Sequence, residues 1–129
     1  MARGAPDWTQ KIEVTINSGQ PQVEAAAGAA AALTTTSTSY GTVASWTVAA
    51  GKVGELKEIL VLSSNYAKTL CKVVIGAVTY VTDWAPQGAL PLIFEDLRLA
   101  AATVVTVSGK SSDGTSVVID AAIVGKEAG

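Results

Sequence analysis

Few side chains in this chain of 129 residues have types and spacings that suit chemistry. Glu95 and Asp96 are adjacent carboxylates next to Phe94, and a carboxylate pair is what acid–base cleavage of a glycosidic bond requires. Neighbours on a strand point to opposite faces, so these two would not readily share a proton or flank one bond, and a solvated turn is the plainer expectation. Asp113, in Ser111-Ser112-Asp113-Gly114, offers one carboxylate without the spaced oxygen ligands that calcium takes, and Asp-Gly is a turn signal. Cys71 sits between Leu70 and Lys72 with no histidine or CxxC partner, which reads as a structural thiol. Glu55 and Glu58 with Lys52 and Lys57 form a mixed-sign strip suited to cross-strand or subunit ion pairs. Trp84, in Asp83-Trp84-Ala85-Pro86, and the nearby Tyr80 are the candidate ligand-binding residues. A loop tryptophan can stack on a sugar ring or anchor a protein contact, and it can equally plug the end of a sandwich.

What is missing narrows the function further. There is no histidine, which excludes imidazole zinc sites, Ser-His-Asp and Cys-His catalysis, and histidine pH switches. No GxGxxG, P-loop or metal motif occurs, so no catalytic residue, cofactor or metal is expected and the chain reads as a non-enzyme. Nine basic against eleven acidic residues, net −2, with no basic run, argue against nucleic acid as a partner. No stretch approaches the roughly 18 apolar residues of a membrane span, and no apolar run follows Arg3 as a secretory signal would require. The lone cysteine leaves packing to hold the fold.

The elements that must position these residues are read from periodicity. Residues 11–16 (KIEVTI) alternate polar and apolar as a half-buried strand, closed by Asn17-Ser18-Gly19; before them Trp8 stands as an anchor on a small-residue leader. Residues 23–33 (VEAAAGAAAAL) favour helix by propensity, and either a short helix or irregular connector, or a small-residue arm against a neighbouring subunit, is expected there. Strands follow at 43–48 with Trp46 inward, 55–63, 69–75, 78–81, 90–94, 103–107 and 115–124. The strands at 69–75 and 78–81 form a hairpin about Gly76, residues 83–88 an exposed loop, residues 95–99 a polar turn, and residues 109–114 a hairpin loop. The second half of the 55–63 strand is apolar on both faces, implying burial on both sides or at a subunit contact. About eight strands at turn spacings of 8 to 12 residues describe an all-β antiparallel two-sheet sandwich of jelly-roll type, with an immunoglobulin-like sandwich as the alternative.

Residues 46–59 (WTVAAGKVGELKEI) resemble a motif of small jelly-roll structural proteins of tailed-phage virions, in which a strand ends in a V-x-A-G-K-x-G-x-L turn. Residues 103–107 (TVVTV), 111–115 (SSDGT) and 117–125 (VVIDAAIVG) resemble the final hairpin of those proteins. The resemblance implies a noncatalytic capsid decoration, cement or minor capsid subunit at the capsid surface, made in the host cytoplasm. It further implies a homotrimer whose N-terminal arm contacts a major capsid or other virion protein. On that reading residues 1–40 are the arm and first strand, and residues 41–129 the jelly-roll domain. The candidate interface residues are Trp8, Ile12, Val14, Ile16, Leu33, Ile59 and Val61. The alternative is a carbohydrate- or receptor-binding β-sandwich module on a virion or cell surface, using Tyr80 and Trp84. The 49% hydrophobic and 16% charged composition supports an assembly subunit, since a small monomer would struggle to hide so much apolar surface.

Overall fold

Among the described residues there are eight strands, most of them rich in β-branched residues and with burial alternating at period two most clearly in β4 and β8: β1 (Glu24–Thr35), β2 (Gly41–Thr47), β3 (Val53–Ser63), β4 (Thr69–Ile75), β5 (Val78–Trp84), β6 (Leu92–Leu99), β7 (Val104–Ser111) and β8 (Val117–Ala128). The computed structural model describes residues 24–89 and 91–129. Trp8, Ile12, Val14, Ile16 and the strand and turn expected around them lie outside the described residues.

The strands form two four-stranded sheets, β1-β8-β3-β6 and β2-β7-β4-β5. The ladders β1·β8, β2·β7, β3·β6 and β4·β5 are all antiparallel. The chain is therefore one long doubled ribbon with β4 and β5 at its tip, wrapped so that successive pairs alternate between sheets. That is the jelly roll, and the order excludes the immunoglobulin-like alternative.

The inner faces meet in a core of aliphatic side chains. Leu56, Ile59, Val61, Val73, Val107 and Ile119 have no exposed surface. Trp46 is 5% exposed and lies where two glycines leave room: a Cβ at Gly125 would stand 2.9 Å from its ring, and one at Gly54 3.3 Å from it. Its indole N–H donates to Glu127 Oε2 at 2.9 Å, so the polar atom of the largest core side chain is satisfied. At the β3–β4 corner, buried Thr69 donates its hydroxyl to the Asn65 carbonyl at 2.8 Å and lies 2.6 Å from the Ser63 hydroxyl. Ser63 Oγ in turn accepts the Asn65 N–H at 3.1 Å, closing the corner without an unpaired hydroxyl.

Three expectations change. The alanine-rich segment is neither helix nor connector nor a free arm; it is β1, paired with β8 residue for residue from Glu24 to Thr35. Alanine's helix preference is a few tenths of a kcal/mol per residue, roughly. A twelve-residue ladder and the packing of Ala27, Ala29 and Leu33 on the core override it. Residues 95–99 are not a turn but the second half of β6, because Leu97 and Leu99 pair with Leu56 and Gly54 and face inward. The C-terminal pair is not a hairpin: β7 and β8 lie in different sheets, and the Asp113-Gly114 turn carries the chain across the end of the sandwich. The β4–β5 hairpin about Gly76 is as expected, with Gly76 at φ 62°.

Ile59 was a candidate contact by sequence and is a core residue by burial, which a substitution pair distinguishes. Ile59→Ala should destabilise the isolated chain by about 2–5 kcal/mol in denaturant unfolding. Ile93→Ala, at a position 70% exposed on β6, should change stability by no more than about 0.5 kcal/mol. Equal losses would contradict the assignment of faces.

Candidate functional site

Alternation along β8 sends Ile119, Ala121 and Ile123 into the core, and so sends Val118, Asp120, Ala122 and Val124 outward. Register then dictates what stands beside them. Ala32, Asp120 and Leu62 form one cross-strand row on the outer face, and Ala30, Ala122 and Leu60 the next. Gly28, Val124 and Glu58 continue it, with Ile93 beyond Glu58 on β6. Leu62 and Val118 are each 37% exposed and Val124 47%. The alanines are short and the leucines long, so the face is concave: a shallow groove of about 360 Å³ is lined by Ala30, Ala32, Leu60, Leu62, Asp120 and Ala122.

One row further along, the same face turns ionic. Lys126 on β8, Glu55 on β3 and Arg98 on β6 stand opposite one another, and Glu24 on β1, two residues before Ala26, the partner of Lys126, reaches the ammonium diagonally, so the signs alternate across the sheet. Lys126 Nζ lies 3.1 Å from Glu24 Oε2 and 3.3 Å from Glu55 Oε2, and Arg98 Nη2 is 3.7 Å from Glu55 Oε1. Hydrogen bonds to Glu24 and then Glu55 hold the Lys126 ammonium above its ordinary pKa. Such exposed pairs add little stability, but they fix the orientation of whatever packs beside them.

The outer face of the other sheet is different in kind. Ser45, Thr106, Val74 and Thr79 make one of its rows. Across this face lies Tyr40, whose hydroxyl donates to the Asp83 carboxylate and accepts the Asp83 N–H at 2.8 Å. Lys110 and Lys72 stand over its ring, 4.4 and 4.9 Å from the centroid, and Lys110 Nζ is 3.3 Å from Asp83 Oδ1. Tyr40 thus clasps the sheet from the β2 side to the β5 side. Asp83 sits at φ 52°, a conformation aspartate tolerates, at a register shift in β5. Burial, then the bond to Asp83, pushes the tyrosine pKa up to about 12, while the bonds from Tyr40 and Lys110 hold Asp83 below the usual carboxylate range. The Tyr40 hydroxyl, the Asp83 carboxylate and the Lys110 ammonium engage one another, which ties the two sides of the sheet together.

The remaining sequence candidates fall as follows. Ile59 and Val61 point into the core, and their strand neighbours Leu60 and Leu62 are the residues that reach the surface. Leu33 faces inward and is half-buried against the core. Trp84 is not in a loop: it ends β5, opposite Cys71, and packs half-buried on the core. Tyr80 is 51% exposed and meets Phe94 edge-on, with centroids 6.3 Å apart, bridging β5 and β6. The two aromatics therefore do not form one exposed platform. Cys71 is fully buried, and burial pushes its thiol up to about 11, so it remains protonated at neutral pH. Asp113 receives the Thr115 N–H at 3.0 Å and pairs with Lys68 at 2.7 Å, partners that hold its carboxyl well below the usual range. Among the described residues no group of three or more His, Cys, Asp or Glu could hold a metal ion.

Sequence reasoning marked the second half of the 55–63 strand as apolar on both faces but named Ile59 and Val61 as its contacts, and it did not single out Leu60, Leu62, Val118, Ala122 or Val124. A strand apolar at consecutive positions must put half of them outside a two-layer sandwich. Comparison with protein families, with curated proteins and with solved structures found no match.

The clasp has a pH signature. A group whose folded pKa is raised contributes stability that is whole below its unfolded value, about 10 for tyrosine. That contribution is lost as pH climbs through the folded value of about 12. Spectrophotometric titration of the folded chain should show a late tyrosinate step approaching pH 12 that Tyr40→Phe removes. A titration curve unchanged in the variant would contradict the clasp.

Proposed function

We propose that this chain is a noncatalytic virion structural subunit, a capsid decoration or minor capsid protein, that self-associates and docks on a major capsid protein. The observation that carries the reading is the asymmetry of the two outer faces. One is hydroxyl-rich and clasped; the other presents Ala30, Ala32, Leu60, Leu62 and Ala122 as a concave, largely apolar surface around Asp120, with exposed Val124 beside it and an alternating set of charges at its border. Burying that surface against a partner contributes about 25 cal/mol per Å². The ionic row sets the angle of approach, since a partner displaced along the sheet would meet charge where it needs apolar contact. The jelly roll, common among capsid domains, and the resemblance of residues 46–59 and 103–125 supply the virion context and the trimeric state by analogy. The glycan-binding alternative has less to rest on, because Trp84 packs against the core and Tyr80 alone is well exposed.

The test is fractionation of the native source with an antibody to the chain, joined to rebinding of recombinant protein to particles stripped of it. The wild-type chain should sediment with particles. The double variant Leu62→Lys, Val124→Lys should fold, because both positions face outward, and should lose at least about tenfold in particle affinity, about 1.4 kcal/mol. A wild-type chain confined to the soluble fraction would overturn the reading.

A further inference from the structure

Two opposite charges stand far apart on this molecule, each set among small apolar residues. Asp120 is exposed on β8 between Ala32 and Leu62, and it is the one ionisable group lining the groove, whose other lining residues are alanine and leucine. Its carboxylate makes no hydrogen bond or ion pair among the described residues. Lys52 is the counterpart. It lies in the turn between β2 and β3, flanked by exposed Ala49, Ala50, Gly51 and Val53, and it forms no ion pair among the described residues. By contrast Lys68, Lys110, Lys126 and Arg98 each face a carboxylate, and Lys72 stands over the Tyr40 ring. The turn is preformed: the Lys52 N–H donates to the Ala49 carbonyl at 3.2 Å, Gly51 takes a φ of 75°, and the Ala49 N–H donates to Glu127 Oε2 at 3.4 Å. A Cβ at Gly51 would meet nothing within 4 Å, so the tip stands clear of the body.

We propose that the β2–β3 turn of one copy seats in the groove of a second copy, with Lys52 against Asp120. The contact rests on the self-association proposed above and specifies what enters this face. Lys52 and Asp120 cannot meet within one chain. Lys52 precedes the first residue of β3, Asp120 is level with Leu62 at the other end of that strand, and the span from Val53 to Leu62 is about 30 Å. Two copies can meet this way, and each can offer its tip while its own groove receives another. Shape agrees with charge. A groove floored by Ala30, Ala32 and Ala122 lets a tip of alanine and glycine approach closely, and the lysine stem can lie along Leu60 and Leu62 with its ammonium at the carboxylate. The cations at the border of the groove do not compete, because Lys126 and Arg98 are already held by Glu24 and Glu55. One element of the second copy thus brings both the apolar cover and the cation, and the pair of charges fixes the register in which they meet. A rigid, small-residue tip also loses little conformational freedom on seating.

Charge reversal and its rescue, read by sedimentation equilibrium of the full chain, test the contact. Lys52→Glu and Asp120→Lys should each weaken self-association at least about tenfold, because like charges then face each other in the contact. The double variant Lys52→Glu, Asp120→Lys restores opposite signs and should return to within about threefold of the wild type. Carbodiimide coupling of the wild-type chain should yield a peptide pair joining Lys52 to Asp120, and mixing labelled with unlabelled chains should show that the two come from different copies. Single variants that associate as well as the wild type, or a double variant no stronger than the singles, overturn the proposal. So do single variants that self-associate normally but bind stripped particles less well, which would assign the groove to the capsid partner. A wild-type chain that stays at 13.1 kDa throughout overturns the self-association reading along with this contact. A wild-type chain that associates while charge reversal changes nothing overturns this contact alone.

Discussion

The insertion of β8 between β1 and β3 is the contact on which the rest of the structure depends. β8 is the last strand in the chain, yet it is an interior strand of its sheet, laddered on both sides over most of its length. The sheet cannot close until residues nearly a hundred positions apart, such as Gly28 and Val124, have met. Such non-local pairing commits the chain's end to the core and folds slowly for its size. It also holds the Trp46 seat in place, since Gly125 and Glu127, which receive the indole, are both on β8.

The same strand explains the surface. Strand geometry allows one face inward, and a sequence such as VVIDAAIVG, apolar at almost every position, must spend half of its apolar residues outside. β3 does the same through Leu60 and Leu62, and β1 through its alanines. Three adjacent strands with this property give one concave, largely apolar patch around Asp120, whereas the opposite sheet alternates with serine, threonine and lysine across its middle and exposes Val78, Tyr80 and Val104 at separate places. An apolar outer face on one layer of a two-layer sandwich is a liability in a monomer and a binding surface in an assembly.

Much of this was legible in the residues. The turn signal at Gly76, the strands read at residues 69–75 and 115–124, the inward Trp46 and the regular spacing of short strands led to the two-sheet sandwich. Four things were not legible, because contacts between distant residues or an unusual backbone conformation decide them and local preference does not. The alanine run is a strand because β8 offers it a ladder, and nothing within the run announces that. Ile59 and Val61 could not be told from Leu60 and Leu62, because register with β8 decides which pair faces out. Trp84 reads as a loop residue beside Pro86 until Asp83 adopts its left-handed conformation and lets β5 continue to Trp84, opposite Cys71. The clasp of Tyr40 across two strands to Asp83 joins residues 43 positions apart and has no local signature.

Sedimentation equilibrium of the full chain across micromolar to hundred-micromolar concentrations measures the central claim most directly. The account predicts a mass that is a multiple of 13.1 kDa, falling to that of one chain when Leu62 and Val124 are replaced by lysine. A wild-type chain that remains at 13.1 kDa over the whole range, with its apolar outer face still open to solvent, would contradict it.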